Sequence, residues 1–294
     1  MQTYQNTQVS KKKLLSLMQI NQKVMVIGAV NWDVRPEIFS IGNFSIRWYG
    51  LLFASGFFFG YLIFLRFFKK EGLTVELLDK LTIYMAIGTV VGASLGHCLF
   101  YEPEYYLSHP VEILKIWKGG LASHGAAIGI LLSLWLFVRK YKKPFIWILD
   151  RIVVVVALAG FFIRFGNLMN SEIYGVRTSL PWGFIFIRNN EIVPKHPTQI
   201  YEALSYFIIF LILMRTYFKS NARFRPGTLF GWFLILVFGM RFIIEFIKED
   251  QVPFEAGMPL NMGQLLSIPF IIAGILILYF FRNKEPFEVG PAKK

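Results

Sequence analysis

Apolar residues in this chain gather in seven long, nearly unbroken runs, rather than alternating as in half-buried strands or lining one helix face as in soluble proteins. A bilayer core about 30 Å thick takes about 20 helical residues at 1.5 Å each. The runs predict helices near 48–68, 80–100, 121–138, 145–164, 200–217, 228–247 and 262–281. The expected fold class is therefore all-α: a polytopic membrane helix bundle with about seven transmembrane helices. Small residues recur at helical spacing at Gly56 and Gly60, at Gly88, Gly92 and Gly96, and at Gly125 and Gly129, which suits close helix packing. No internal repeat is visible.

The polar connections add an orientation. Arg66, Lys69 and Lys70 follow the first run, Arg139, Lys140, Lys142 and Lys143 the third, and Arg215, Lys219, Arg223 and Arg225 the fifth, so these loops are expected in the cytoplasm. The other connections carry Glu102, Glu104 and Glu112, then the long stretch 165–198, then Glu249, Asp250 and Glu255, and are expected to face outward. Arg282, Lys284, Lys293 and Lys294 fit a cytoplasmic C-terminus, which puts the N-terminus outside. Lys11, Lys12, Lys13 and Lys23 run against that topology. Either translation starts downstream, with Met25 a candidate, or the later helices outweigh these charges. Gln19, Asn21, Gln22 and Lys23 interrupt what would be the apolar region of a signal peptide.

Composition agrees with a bilayer as solvent: 55% of the 294 residues are hydrophobic and mean hydropathy is +0.51. In so apolar a chain the net charge of +13 marks cytoplasmic loops and anionic lipid, and no nucleic acid partner is expected. A lone cysteine, Cys98, excludes an internal disulfide framework and reads as a packing residue. The four histidines lack metal-ligand spacing, so neither metal nor cofactor is expected.

Polar residues inside the runs are the candidates for chemistry, because charge in a membrane is costly and usually faces a cavity. Arg164 closes the fourth run, and Arg241 lies about 13 residues, or roughly 20 Å, along the sixth, which puts both guanidinium groups in the outer half. His97, His124, Tyr49, His196, Glu202 and Glu245 fall at similar depth. Two arginines in one leaflet call for an anion, and a phospholipid headgroup is the abundant one there. A pair between Arg241 and Glu245 at i,i+4 is the alternative for one of them. Asp150 and Arg151 lie at the opposite end of the fourth run and read as interfacial residues that snorkel. Gly92-Ala-Ser-Leu-Gly96 matches a nucleophile-elbow pattern but sits inside an apolar helix, where it reads as packing.

The run Arg164-Phe-Gly-Asn-Leu-Met-Asn-Ser-Glu-Ile-Tyr-Gly175 resembles the signature of prolipoprotein diacylglyceryl transferases. Further matches are Arg47-Trp-Tyr-Gly50, Ser123-His-Gly-Ala-Ala-Ile-Gly129, His196-Pro-Thr-Gln-Ile-Tyr-Glu202, Arg241-Phe-Ile-Ile-Glu245 and Met262-Gly-Gln-Leu-Leu-Ser267, in family order from about residue 37 to 270. The layout this implies is an N-terminal extension, 1–36, a single membrane-embedded transferase domain, 37–282, and a cytoplasmic tail, 283–294.

The resemblance implies a bacterial inner-membrane enzyme with its active site toward the periplasmic leaflet. Its reaction moves a diacylglyceryl group from phosphatidylglycerol to the lipobox cysteine thiol of a prolipoprotein signal peptide. A thioether forms and glycerol phosphate leaves. The implied catalytic residues are His124, Arg164 and Arg241; the implied substrate-binding residues are Arg164, Asn167, Glu172, Tyr49, Gly175, His196, Gln199 and Glu245. A neutral histidine can accept the thiol proton, and a binding or orienting role for His124 is equally compatible. Two positions depart from the family pattern: Ser94 stands where an arginine is common, and Val237 where an aromatic residue is common. The residues alone also fit an anion transporter built on Arg164 and Arg241, or a noncatalytic lipid-binding scaffold. A transporter is expected to show repeats and a midplane site.

Overall fold

The structure is a computed structural model that describes residues 28–42, 44–100, 102–114, 122–220, 224–250, 255 and 257–287. Lys11, Lys12, Lys13, Lys23, Met25, Arg223, Lys293 and Lys294, which bear on the expected topology, lie outside the described residues. Among the described residues eight α-helices occur: α1 Trp48–Lys70, α2 Val75–Phe100, α3 Pro103–Ser108, α4 Ser123–Lys140, α5 Phe145–Met169, α6 Thr198–Lys219, α7 Thr228–Ile244 and α8 Met262–Phe280. Four short strands accompany them: β1 Val30–Trp32, β2 Glu37–Ile41, β3 Phe44–Arg47 and β4 Phe184–Phe186.

Helices α1, α2, α5, α6, α7 with the 3-10 turn Glu245–Ile247, and α8 are each long and apolar enough to cross a membrane. The seventh expected span is α4, 18 residues long, whose apolar middle is shortened by His124 at one end and Arg139 and Lys140 at the other. The protein is thus an all-α polytopic membrane protein. Helix α2 starts at Val75 rather than near 80, because Thr74 Oγ1 accepts the Leu77 N–H at 3.3 Å and caps a polar first turn that an apolar run cannot reveal. Helix α5 continues past Arg164 to Met169, so Arg164 does not close it, as expected from the end of the apolar run, but sits inside its last turns.

The chain divides into two compact units. The first takes in the described residues up to Ser55, then Ala159–Ile208 and Val237–Pro269; the second takes in Gly56–Leu158, Ile209–Leu236 and the described residues from Phe270.

In the second unit α2 and α4 pack backbone to backbone. A Cβ built on Gly92 would lie 2.4 Å from the Gly125 carbonyl oxygen, and one on Gly129 would lie 2.1 Å from that of Gly88. These contacts explain the glycine spacing: only a missing side chain permits this approach. The same unit buries an ion pair, with Arg151 Nε 2.9 Å from Glu71 Oε1. Trp147 Nε1 and the Tyr217 hydroxyl donate to Glu71 at 3.0 and 2.6 Å, and Trp147, Phe224 and Phe287 lie over the Arg151 guanidinium. Asp150 accepts the backbone N–H groups of Gly227 and Phe230 at 2.7 and 2.9 Å, satisfying donors that the start of α7 leaves without intrahelical partners. The expected snorkelling of Asp150 and Arg151 is therefore incorrect: both are buried, at 0% and 1% exposure, because Glu71 and the α7 amides supply the partners that water would have offered.

In the first unit β1 pairs in parallel with β4, Val30 opposite Phe184 and Trp32 opposite Phe186, and β2 pairs antiparallel with β3. Trp32 Nε1 donates to the Leu168 carbonyl at 3.0 Å, which ties this ribbon to the end of α5. The stretch 165–198, expected as one long connection, is thus part helix, part strand and part ordered loop.

Candidate functional site

Local backbone chemistry shapes the segment after α5. The N–H groups of Asn170, Ser171 and Glu172 return to the carbonyls of Gly166, Leu168 and Asn167 at 3.0, 2.9 and 3.0 Å, which folds the chain back on the helix end. Ser171 and Ile173 hold φ of 55° and 60°, a costly region for a β-branched residue that survives only where surrounding bonds fix it. Those bonds come from the start of α6: Thr198 Oγ1 donates to the Ile173 carbonyl at 3.0 Å and Gln199 Nε2 to the Glu172 carbonyl at 2.7 Å. Gly175 N–H donates to the His196 carbonyl at 2.8 Å. A Cβ on Gly175 would meet the Ile247 carbonyl at 2.3 Å and His196 Cβ at 2.7 Å. Gly175 and Gln199 thus act on the backbone that shapes the site.

Helices α5, α6 and α7 and the turn that follows α7 bring five charged side chains into one chain of contacts. Arg164 Nε lies 3.0 Å from Glu202 Oε2; Lys248 Nζ lies 3.2 Å from Glu202 Oε1 and 3.1 Å from Glu245 Oε1; Arg241 Nε lies 3.4 Å from Glu245 Oε1. Glu202 and Lys248 are buried, with side chains 0% and 3% exposed, while Arg164 and Arg241 keep 15% and 33%. The two arginine contacts are ionic rather than directional hydrogen bonds, since Glu202 Oε2 and Arg241 Nε are buried without an aligned partner. The chain continues at its other end: Arg164 Nη1 donates to Asn167 Oδ1 at 3.2 Å, and Asn167 Nδ2 to Glu172 Oε1 at 2.8 Å. Asn261 Nδ2 holds Glu245 Oε2 at 3.2 Å, and a Cβ on Gly263 would lie 2.4 Å from Glu245 Cδ. The alternative pairing of Arg241 with Glu245 therefore forms, and Arg164 has a carboxylate partner as well.

Tyr49 lies within electrostatic reach of both Glu172 and Arg164, and its ring packs on Gly166, where a Cβ would sit 2.7 Å from Cδ2. Asn170, Glu172, Tyr174, Asn189, Glu249 and Asp250 are among the residues lining a polar cavity of about 390 Å³. His196 Nδ1 is 3.3 Å from the Tyr201 hydroxyl, and burial lowers the pKa of this imidazole from its ordinary value. Burial also works against charge on Lys195, but a hydrogen bond to Glu249 and the nearby charge of Glu191 more than offset it and raise its pKa.

His124 belongs to the second unit, where its exposed ring lines a groove of about 330 Å³ with Phe100, Ala122 and Ile128. His97 Nε2 lies 3.7 Å from Glu102 in that unit, and Ser94 and Cys98 are buried within α2. Ser94, inside the matched elbow pattern, is thus on a continuous helix rather than a strand-to-helix turn. Val237 is buried in the first unit. Of the expected site residues, Arg164, Asn167, Glu172, Tyr49, Gly175, His196, Gln199, Arg241 and Glu245 all fall in one unit. Among the described residues no group of three or more His, Cys, Asp or Glu is arranged to hold a metal ion.

Sequence reasoning missed Lys248 and Asn261. A signal for Lys248 exists, since Arg241, Glu245 and Lys248 follow the i, i+4, i+7 spacing of one helix face. Asn261 gives no such sign, because its partner lies 16 residues away across a loop.

Helices fit to cross a membrane that hold buried, alternating charges define an integral membrane protein with a polar site. The sequence profile of the prolipoprotein diacylglyceryl transferase family matches residues 36–280, and the chain belongs to that family of membrane transferases. It is 51% identical over 248 residues to a phosphatidylglycerol–prolipoprotein diacylglyceryl transferase of Tolumonas auensis, covering 84% of this chain and 95% of the relative. The proteins of that name from Porphyromonas gingivalis and Chloroherpeton thalassium are 47% and 45% identical, covering 85% and 84% of this chain and 93% and 92% of theirs.

Proposed function

We propose that this chain transfers the diacylglyceryl group of phosphatidylglycerol to the thiol of the lipobox cysteine in prolipoprotein signal peptides, the first step of bacterial lipoprotein maturation. The thiol sulfur bonds to the glyceryl carbon that carries the phosphate. That carbon–oxygen bond breaks, and its electron pair leaves on glycerol phosphate. His124, in its apolar groove, takes the thiol proton; Arg164 and Arg241 hold the phosphate and stabilise the charge that grows on it.

The single observation that carries this reading is the chain Arg164–Glu202–Lys248–Glu245–Arg241. Each arginine meets its carboxylate through Nε, so neither is engaged in the two-toothed pairing that would tie up its whole fork. Within these five side chains three cations face two anions, and Glu172, joined to Arg164 through Asn167, adds a third carboxylate on the headgroup side. Asn167, Glu172 and Tyr49 border Arg164 and shape the headgroup side; Gly175, His196 and Gln199 hold the loop. The enzyme works in the inner membrane with this site toward the periplasmic leaflet and its C-terminus in the cytoplasm, a reading supported by the basic loops after α1, α4 and α6.

Purified protein incubated with phosphatidylglycerol and a lipobox peptide tests the proposal. A diacylglyceryl mass shift with released glycerol phosphate, absent when the peptide cysteine is replaced by serine, is the expected result. Lipid binding by folded protein without transfer would replace it with the scaffold reading.

A further inference from the structure

Lys248 is the most deeply buried cation of the site, and neither the resemblance nor the proposed reaction gives it a task. Its side chain is 3% exposed and its ammonium group bridges Glu202 and Glu245, at 3.2 and 3.1 Å. These are the two carboxylates that face Arg164 and Arg241. We infer that Lys248 is a positioning residue that holds Glu202 and Glu245 apart from full pairing with the arginines and offsets their charge, so that both guanidinium groups stay available to one lipid phosphodiester. This inference rests on the phosphatidylglycerol reading above.

The backbone explains why this side chain points inward. The Val176 N–H donates to the Ile247 carbonyl at 2.9 Å, and Gly175 and Lys248 form an antiparallel bridge. The chain after α7 is thereby clamped to the signature loop, at a distance that only glycine at 175 permits. Gly263 and Asn261 close the other side of Glu245, so its carboxylate has no room to turn away. Lys248 thus sits between Glu245, held by Asn261 and Gly263, and the fully buried Glu202.

Electrostatics gives the consequence. A buried carboxylate that loses one cation draws harder on the cation that remains, because isolated buried charge is costly. Without the ammonium group, the whole charge of Glu202 and Glu245 falls on their arginines. The sum over Arg164, Glu202, Lys248, Glu245 and Arg241 falls by one, to two cations against two anions. A phosphodiester then arrives at a site one positive charge poorer, whose guanidinium groups are already engaged. Binding of the lipid suffers more than the chemical step, and the peptide is unaffected.

The test measures kcat and KM for phosphatidylglycerol and for the peptide in the wild type, Lys248→Met, Lys248→Arg and the double variant Glu202→Gln/Lys248→Met. The expected results are a rise in lipid KM of at least about tenfold for Lys248→Met with a smaller change in kcat, recovery within a few fold for Lys248→Arg, and partial recovery in the double variant, which restores the wild-type charge sum. Lys248→Met with an unchanged lipid KM, or with a loss in kcat alone, would overturn the inference. If Lys248→Met does not fold, the double variant decides: it has no bridging ammonium, so folded protein with restored lipid KM supports the charge argument, and failure to fold or to restore KM contradicts it. A wild type that does not transfer the lipid at all would instead sink the proposed function.

Discussion

Arg164 on α5 and Glu202 on α6 meet at 3.0 Å through Nε and Oε2, so a cation near the end of one helix is matched to a fully buried carboxylate in the first turns of the next. The same guanidinium reaches Asn167 through Nη1, one turn along its own helix. Two different edges of the fork thus have different protein partners.

That division predicts that lysine does not substitute at this position. Arg164→Lys supplies one compact charge and cannot serve Glu202, Asn167 and a phosphate together. Transfer activity is expected to fall by about 10²-fold or more in Arg164→Ala, the scale of losing one transition-state donor, with little recovery in Arg164→Lys. Membrane insertion, checked by fractionation, should remain normal in both.

Gly175→Ala should cost stability before it costs specificity. The added methyl group would lie 2.3 Å from the Ile247 carbonyl and 2.7 Å from both His196 Cβ and Thr198 Cγ2, and each of these is held by backbone bonds. A loss of about 1–3 kcal/mol is expected from such overpacking. Thermal unfolding in detergent measures it, and unchanged stability would mean that the loop moves freely away from Ile247.

The buried pair of Glu71 and Arg151 predicts an asymmetry. Arg151→Met leaves Glu71 with only the Trp147 and Tyr217 donors and is expected to destabilise by about 3–5 kcal/mol. The double variant Glu71→Leu/Arg151→Met removes both charges and should recover most of that loss. Equal destabilisation by the single and double variants would contradict the ion-pair account.

His196 sets a pH dependence. Burial lowers the pKa of its imidazole in the folded protein, so the unfolded chain binds the proton first as pH falls. Its contribution to stability is therefore complete above the ordinary histidine value and is lost as pH falls from there through the lowered folded value. Thermal unfolding midpoints of the wild type should drop over that window, and His196→Asn should flatten this part of the profile. A wild-type midpoint that rises on acidification would reverse the sign and refute the assignment.

The membrane helices were legible because bilayer thickness imposes a length and polarity that a sequence displays directly, and each predicted run has its helix. Ends were less so: the Val75 start depends on a cap by Thr74, and the extension of α5 past Arg164 depends on Trp32 and the following loop. Strands β1 and β4 were invisible because they are only three residues each and pair across about 150 positions. Arg164, Arg241 and Glu245 announced themselves by the cost of charge in an apolar run. Lys248 offered only its i+7 spacing from Arg241, since it follows the run and looks like an ordinary interfacial lysine until the Gly175 bridge turns it inward. Asp150 and Arg151 misled for the same reason: position along a helix does not reveal a tertiary partner such as Glu71.

The central claim is that Arg164 and Arg241 act together on one phosphate. A double-mutant cycle of Arg164→Gln and Arg241→Gln on kcat/KM for phosphatidylglycerol tests it most directly. Shared use of one anion predicts that either change alone costs nearly as much as both, with a coupling of about 1 kcal/mol or more. Losses that simply add, or full activity in either single variant, would contradict it.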